Sequence, residues 1–370
     1  MIRNPEWSPT MDKHVLVTGA RGLLGAEVIA RLTAMGYPVV AFLRSDGPVV
    51  RNDGTPLAAT PYGGHTPAAG TFACVRGDVA EPRLALDPHT YEALRAATGA
   101  IVHCAALTSF GRKPEVYDAI NFRGTERIVE FAQGSGDAPI PLLYVSTAYV
   151  CGERPGVFSE DDLELGQRLG NPYEQSKYRA EQSVRAAMRS GLPAAVLRPS
   201  IIVGDSASGV IRKFDTLYTV VRLTAAGLVR TMPGDYGATL NIVPIDWVAD
   251  CVVEALAKFP LVRGRTLHLT SGTPTTLREI NDVCAEFPSF HVPRYVPRHV
   301  FDAAAMKPLE RRYYDEVVKL YESYLTRQVR FARDATAAIL PALPRATGKT
   351  LLRRIFRYGI AAGYFVPRSA

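Results

Sequence analysis

From Lys13 onward, short unbroken apolar runs alternate with stretches in which apolar residues recur every three or four positions. The runs HVLVTG, PVVAFLR, TFACVRG, AIVHCAA, PLLYVSTAYV and AAVLRPSIIVG are rich in β-branched residues and too short for helices, so each predicts a strand. Between them, GAEVIARLTAMG and GTERIVEFAQGSG show helical spacing and predict amphipathic helices. Strands without a polar face must be covered on both sides. The pattern therefore predicts an α/β fold built on a doubly wound parallel sheet.

Two stretches break the rhythm. Residues 45–70 are rich in Gly, Pro and Thr with little periodicity, which predicts a long surface loop. After Gly204 the alternation weakens, returns in NIVPIDWVADCVVEALAKF and TLHLTSG, and then gives way to helical patterns. The chain is thus expected to leave the sheet, return and leave again. One domain would comprise 10–204 and 240–272. A smaller, mainly helical domain of 205–239 and 273–370 would cap the C-terminal edge of the sheet, where ligands bind in such folds. In the second domain Phe214, Leu217, Tyr218, Val221 and Leu223 form a stripe expected to supply core, with part of that face left open to line a substrate tunnel.

A chain of 370 residues, 47% hydrophobic and 21% charged, can bury a large core. Its five cysteines lack metal spacing, no metal is expected, and scattered thiols suit a reducing compartment. The first residues, MIRNPEWSPTMDK, hold no signal-like apolar run, and no segment reaches the roughly 18 apolar residues needed to span a bilayer. A cytoplasmic protein is the expectation. The net charge of +7 suits a phosphate-rich small molecule, a lipid surface or nucleic acid. Nucleic acid has little support, because the basic residues are not grouped with aromatics. Near the end, KTLLRRIFRYGIAAGYF sets Lys349, Arg353, Arg354 and Arg357 among apolar residues. It reads as a docked terminal helix or as one that meets a membrane surface or a partner.

Candidate chemistry begins at VLVTGARGLLG. Thr18 ends the first strand, and Gly19, Gly22 and Gly25 follow in the spacing GxxGxxG before a helix that opens with Leu23 and Leu24. Such glycines allow a tight turn and close approach of a pyrophosphate to backbone N–H groups at a helix N-terminus. The second strand ends in AFLRSDG. Arg44, with Arg21 from the turn, favours the 2′-phosphate of NADP, while Asp46 is the competing residue that would favour NAD. In RGDV, Asp78 can accept from the adenine amino group or serve as a turn aspartate.

In NPYEQSKYRAE, Tyr173 and Lys177 lie four residues apart, on one helical face. A phenol has an ordinary pKa near ~10, and a nearby ammonium stabilises its anion. LLYVSTAYVCG runs a strand into Ser146 and Thr147, and one of these hydroxyls can donate to a substrate carbonyl oxygen beside Tyr173. Arg212 and Lys213 suit either a phosphate group or an exposed helix start.

These segments together resemble the extended short-chain dehydrogenases/reductases: TGxxGxxG at 18–25, GDV at 77–79, HCAA at 103–106, Asn121 in NFRGT, STAYVCG, YEQSK and RPSIIVG. The resemblance implies a Rossmann domain, selects Thr147 over Ser146 by its distance from the glycine of VCG, and makes Thr147, Tyr173, Lys177 and Asn121 the catalytic set. Asn121 matches an asparagine that shapes a proton relay. Cofactor contacts would further include Val79, Ala105, Ala106 and the nicotinamide-lining Pro199, Ser200, Ile201 and Ile202. His103 departs from the asparagine often found there and reads as structural.

RGDVAEPRLALDPHTYEAL, RPSIIVGDSASGVIRKFDTLY and HLTSGTPTTLREI look most like the thioester-reductase branch, which includes the fatty acyl-CoA reductases. That likeness implies NADPH-dependent reduction of an acyl thioester, on coenzyme A or on a carrier protein acting in trans, to an aldehyde and in some members to the alcohol. A reductase of free aldehydes, ketones or hydroxysteroids is the alternative. A nucleotide-sugar epimerase or a non-catalytic NADP-binding regulator is less well supported.

Overall fold

The computed structural model describes residues 12–136, 138–343 and 346–365; the first residues, expected to hold no signal-like run, fall almost wholly outside them. Eight strands form one sheet: β1 (His14–Thr18), β2 (Val39–Leu43), β3 (Thr60–Pro61), β4 (Phe72–Arg76), β5 (Thr98–His103), β6 (Leu142–Val145), β7 (Ala194–Pro199) and β8 (Thr266–Leu269). Their order is β8-β7-β6-β5-β1-β2-β4-β3, with every neighbouring pair parallel. The chain winds outward from β1 to β3 and β4, then returns to β5 on the other side. A crevice opens at that switch point, beyond the C-terminal ends of β1 and β5.

Helices α1 (Leu23–Ala34), α2 (Pro88–Ala97), α3 (Gly124–Gln133), α4 (Pro172–Arg189), α5 (Leu217–Ala225), α6 (Ile245–Ala257), α7 (Leu277–Ala285) and α8 (Gly348–Ala361) include those that cover the sheet and build the second lobe. On one sheet face α1 packs against α6 through Val28, Ile29, Leu32, Trp247 and Val252. On the other, Ile128, Phe131, Ala180 and Val184 of α3 and α4 cover β5, β6 and β7. A separate core gathers α5, α7 and α8 around Leu217, Val221, Ile280, Val283, Ile355 and Phe356. The predicted doubly wound sheet is present.

Two sequence expectations change in detail. AAVLRPSIIVG is two strands, because the chain leaves the sheet at Ser200 and Ile201–Val203 pairs instead with Ile242–Pro244. The stretch 45–70 carries structure: Val49–Val50 pairs with Pro56–Leu57, and β3 extends the sheet edge beside β4. Between the members of that first pair, Asn52 is buried; its N–H donates to Glu27 of α1 at 2.8 Å and its side chain donates to Val210 O at 2.7 Å. Strands of two residues are too short to show a period, and prolines mask them further. The basic terminal helix α8 is docked: its apolar face is buried, Lys349 meets Asp282 at 2.7 Å and Arg353 meets Glu286 at 2.7 Å. Among the described residues no helix is long and apolar enough to cross a membrane.

Beneath the sheet edge lies a closed polar network. Glu181 of α4 and Arg198 of β7 are both fully buried and meet at 2.7 Å, while Ser146 Oγ donates to Glu181 at 2.6 Å and Arg185 lies 3.0 Å away. Burial pushes the Glu181 pKa up, but Arg198 and the other donors hold it below the usual carboxylate value. Arg198→Met would leave that carboxylate buried without its main partner, and a loss of about 3–5 kcal/mol is expected in denaturant unfolding. A loss below about 1 kcal/mol would show that the pair does not constrain the fold.

Candidate active site

At the end of β1, Gly19 has φ +69°, and a Cβ there would lie 2.6 Å from Ala105 N. A Cβ on Gly25 would lie 2.3 Å from Gly19 O, and Gly22 N–H donates to that same oxygen at 2.8 Å. The turn is therefore folded too tightly for side chains at Gly19 and Gly25. Gly22 caps α1 without a side chain, so the first-turn N–H groups at Leu23, Leu24 and Gly25 have no side-chain acceptor at the cap. This arrangement fits a phosphate group. Gly19, Arg21, Gly22, Arg44, Asp78, Val79, Ala105 and Ala106 meet in one open cleft of about 310 Å³.

A string of hydrogen bonds holds the turn from behind. Ala105 N–H donates to Thr18 Oγ1 at 3.2 Å, Thr18 lies 2.6 Å from His103 Nδ1, His103 Nε2 lies 3.1 Å from Thr125 Oγ1, and Thr125 donates to Asn121 O at 2.6 Å. Each hydroxyl can donate one proton, so the chain of donors assigns the proton of His103 to Nε2. Burial, with Lys177 nearby, lowers the His103 pKa to about 3, which keeps the ring neutral. The Asn121 side chain is also fully engaged: Oδ1 accepts from Leu107 N at 2.7 Å, and Nδ2 donates to Leu107 O and to Ser176 Oγ. It braces the loop after β5 against α4.

At the far end of the cleft, Arg21 donates to Ser45 Oγ and Asp46 O, both at 2.8 Å. The Asp46 carboxylate lies 3.2 Å from Arg76. Asp78 Oδ1 accepts from Ala80 N at 2.9 Å, so the aspartate shapes its turn while also facing the cleft. Arg212 donates to Arg21 O at 3.0 Å and Lys213 pairs with Asp215 at 3.1 Å. That places Arg212 beside the glycine turn, a contact that no local motif signals.

Helix α4 starts where its residues dictate. Asn171 caps it by accepting from Glu174 N at 2.9 Å, Pro172 occupies the first turn, and Glu174 accepts from Gly170 N at 2.8 Å. Tyr173 is thereby held at the helix start and Lys177 one turn on. Lys177 is buried; its Nζ donates to Val145 O at 2.8 Å and sits 4.3 Å from the centre of the Tyr144 ring. Thr147 follows β6, accepts from Tyr149 N at 3.2 Å and interacts with the Tyr173 hydroxyl. Ser146, by contrast, spends its hydroxyl on Glu181.

Burial raises the Tyr173 pKa, and the Thr147 hydroxyl pulls it down. Burial lowers the Lys177 pKa to about 7, against the opposing pull of Glu181 and Cys104. In this state the ammonium is directed to a backbone carbonyl, and the local influence on the phenol comes from Thr147. The Ser200 hydroxyl, at the end of β7 within the predicted nicotinamide segment, is buried without a partner. Pro199, Ser200, Ile201 and Ile202 lie outside the walls of the glycine cleft, and Ile201 instead lines an apolar cavity under the second lobe.

Several residues at the site carry no sequence signal. Phe110, from the loop after β5, sits 5.8 Å from Tyr173 and stacks on Tyr321 at 4.9 Å. Glu174 pairs with Arg327 at 2.8 Å, both buried, tying the start of α4 to the second lobe. These partners are distant in sequence and share no period.

The sequence pattern of the male sterility protein family, an NAD-binding pattern, matches residues 17–252. An isonitrile lipopeptide synthase of Streptomyces coeruleorubidus is 31% identical over 291 residues, covering 77% of this chain and 19% of the synthase. A probable fatty acyl-CoA reductase 5 of Arabidopsis thaliana is 25% identical over 271 residues, 58% of this chain and 54% of that protein. This chain thus spans about a fifth of the synthase and about half of the plant protein. Among solved structures, the terminal R domain from the myxalamid PKS-NRPS biosynthetic pathway superposes with a TM-score of 0.76 at 24% identity, covering 97% of this chain and 93% of that one. A UDP-glucuronic acid 4-epimerase from Bacillus cereus shares the fold at a TM-score of 0.65 and 18% identity, covering 95% and 99%.

The depressed Lys177 pKa has a thermodynamic signature. Between about pH 7 and its ordinary 10.5 the unfolded chain holds a proton on this lysine that the ligand-free native state has released, so stability rises with pH across that window. In Lys177→Met this contribution is expected to vanish, flattening the rise when unfolding free energy is measured against pH. An unchanged slope in the variant would contradict the buried, poised state of Lys177.

Proposed function

Because the chain belongs to the male sterility protein family, in the thioester-reductase branch of the extended short-chain dehydrogenases, we propose that it is an NADPH-dependent reductase converting an acyl thioester to an aldehyde. In this reading 10–204 with 240–272 hold the cofactor, and the segments within 205–239 and 273–370 hold the acyl group. The observation that carries the proposal is the position of Tyr173. Its hydroxyl interacts with that of Thr147, and its ring adjoins Phe110, which stacks in turn on the second-lobe residue Tyr321 that lines the apolar cavity.

The glycine turn and the uncapped start of α1 would hold the pyrophosphate, and the segment from Pro199 to Ile202 the nicotinamide, which when bound supplies a hydride. Thr147 and Tyr173 would bind the thioester carbonyl oxygen, with Tyr173 giving a proton as negative charge develops there. Lys177 in its charged form would favour the phenolate left behind. Asn121 acts as a positioning residue, since its side chain holds Leu107 and Ser176. Return of the hemithioacetal proton to Tyr173 lets the carbon–sulfur bond break. The balanced change is thioester, NADPH and a proton to aldehyde, thiol and NADP. The thiol would be coenzyme A or the pantetheine arm of a carrier protein acting in trans. A second reduction would give the alcohol.

The NADP preference draws support from the second-strand end, where Asp46 is engaged by Arg76 while Arg44 and Arg21 border the cleft. Arg44→Ala is expected to lower the NADPH-over-NADH ratio of kcat/KM on the order of tenfold, the value of one charge-assisted contact. An unchanged ratio would remove Arg44 from cofactor choice.

The central test measures NADPH oxidation with acyl-CoA and acyl-carrier thioesters beside the matching aldehydes and ketones, with products identified by mass spectrometry. Release of free thiol and aldehyde is expected, and Tyr173→Phe should cut turnover by roughly 10²–10⁴ while NADPH binding is kept. Turnover confined to free carbonyl compounds would replace this reading with that of an aldehyde or ketone reductase.

A further inference from the structure

The second lobe holds a small apolar cavity of about 50 Å³, room for roughly three to five water-sized groups. Val221 of α5, Leu277 and Ile280 of α7, and Tyr321 and Tyr324 are among its walls. Packed aromatic rings join its wall to the reacting centre: Tyr321 and Tyr324 pack on Phe110 at 4.9 and 6.0 Å, and Phe110 lies 5.8 Å from Tyr173. Ile201, from the segment that follows β7, forms part of the same wall.

One wall residue does not suit an empty apolar slot. Asn281 is only 7% exposed, and its Nδ2 donates to Pro293 O at 2.8 Å, with Pro293 also lining the cavity. That bond fixes the amide orientation, because a flipped amide would set its oxygen against the proline carbonyl. Asn281 Oδ1 is left buried with no hydrogen-bond partner. By contrast, the Thr224 hydroxyl in the same wall is satisfied by Val220 O and Val221 O. A buried amide carbonyl without a donor loses its hydration for nothing in return. A water beside it would find few further partners in predominantly apolar walls, where a buried water needs two to four.

We propose that this cavity takes the distal end of the acyl group and that Asn281 Oδ1 selects chains carrying a hydrogen-bond donor there, a hydroxyl or an amide N–H. The inference rests on the thioester-reductase reading for the identity of the ligand, but its recognition chemistry is independent of turnover. A slim chain fills the slot, and its terminal donor supplies the bond that the protein leaves open. An acceptor-only end group of the same size would place its lone pairs against Oδ1.

The test compares hexanoyl-CoA thioesters that end in a hydroxyl, in an amide or in fluorine. In the wild type the donor-bearing substrates are expected to exceed the fluoro substrate in kcat/KM by on the order of tenfold or more, and Asn281→Leu should bring that ratio near one. The hydroxyl and amide arms separate the two donor sources. Equal rates in the wild type, or a preference unchanged in Asn281→Leu, would overturn the proposal. Binding of 1-hexanol against 1-fluorohexane, followed by NMR on the unmodified protein, provides a readout without catalysis. Selective hexanol binding without thioester turnover would keep the cavity assignment and sink the proposed function, whereas thioester turnover with no selectivity in either assay would do the reverse.

Discussion

The buried pair between Glu174 and Arg327 fixes the relation on which the rest of the site depends. Glu174 belongs to the first turn of α4, next to Tyr173, and also closes the helix start by accepting from Gly170 N. Arg327 lies over the rings of Tyr324 and Tyr149, at 4.3 and 5.8 Å from their centres. Separating these charges would strand each of them away from water, a far larger penalty than a loop contact imposes. The catalytic candidate and the aromatic wall of the cavity are thus held as one unit, although they belong to distant parts of the chain.

A second constraint is directional. The proton order Ala105, Thr18, His103, Thr125, Asn121 runs one way only, and a neutral imidazole is needed to pass it on. Asn121 then extends the string to the loop at Leu107 and to Ser176 on α4. The glycine turn and the helix bearing Tyr173 and Lys177 are consequently linked through polar groups as well as through the sheet. Lys177 is a different case. Its ammonium is buried against a single carbonyl and an aromatic face, which leaves it balanced near neutrality rather than firmly charged.

Much of the architecture was legible because parallel sheets buried on both faces write themselves as apolar runs. The glycine turn was legible for a related reason: Gly19 and Gly25 stand where any side chain would collide with backbone. What stayed hidden is of three kinds. Two-residue strands such as Thr60–Pro61 have no period to display. At Ser200 the pairing partner changes from β8 to Ile242–Pro244, and local spacing does not show which strand an apolar run will meet. Side-chain pairs such as Glu174 with Arg327, or the lone carbonyl of Asn281, depend on the folded path and leave no trace in local spacing. The choice between Ser146 and Thr147 needed a family pattern, and the structure supplies a physical distinction, since Ser146 is bonded to Glu181 while Thr147 faces Tyr173.

The parallel pairing of Val329–Phe331 with Gly156–Phe158 ties the middle of the chain to a segment near its end. Glu160, just beyond that pair, accepts from the backbone of His268, Ala335 and Thr336. During synthesis, then, β1 to β7 can leave the ribosome long before the segments that complete Glu160 and Glu174 exist. The sheet can assemble early, but both carboxylates then wait in water until the segment from Arg327 to Thr336 has been made, and only then is the start of α4 tied to the second lobe. Timing is thereby built into topology: the nascent protein can acquire the cleft at its glycine turn before the second-lobe cavity beside it is complete.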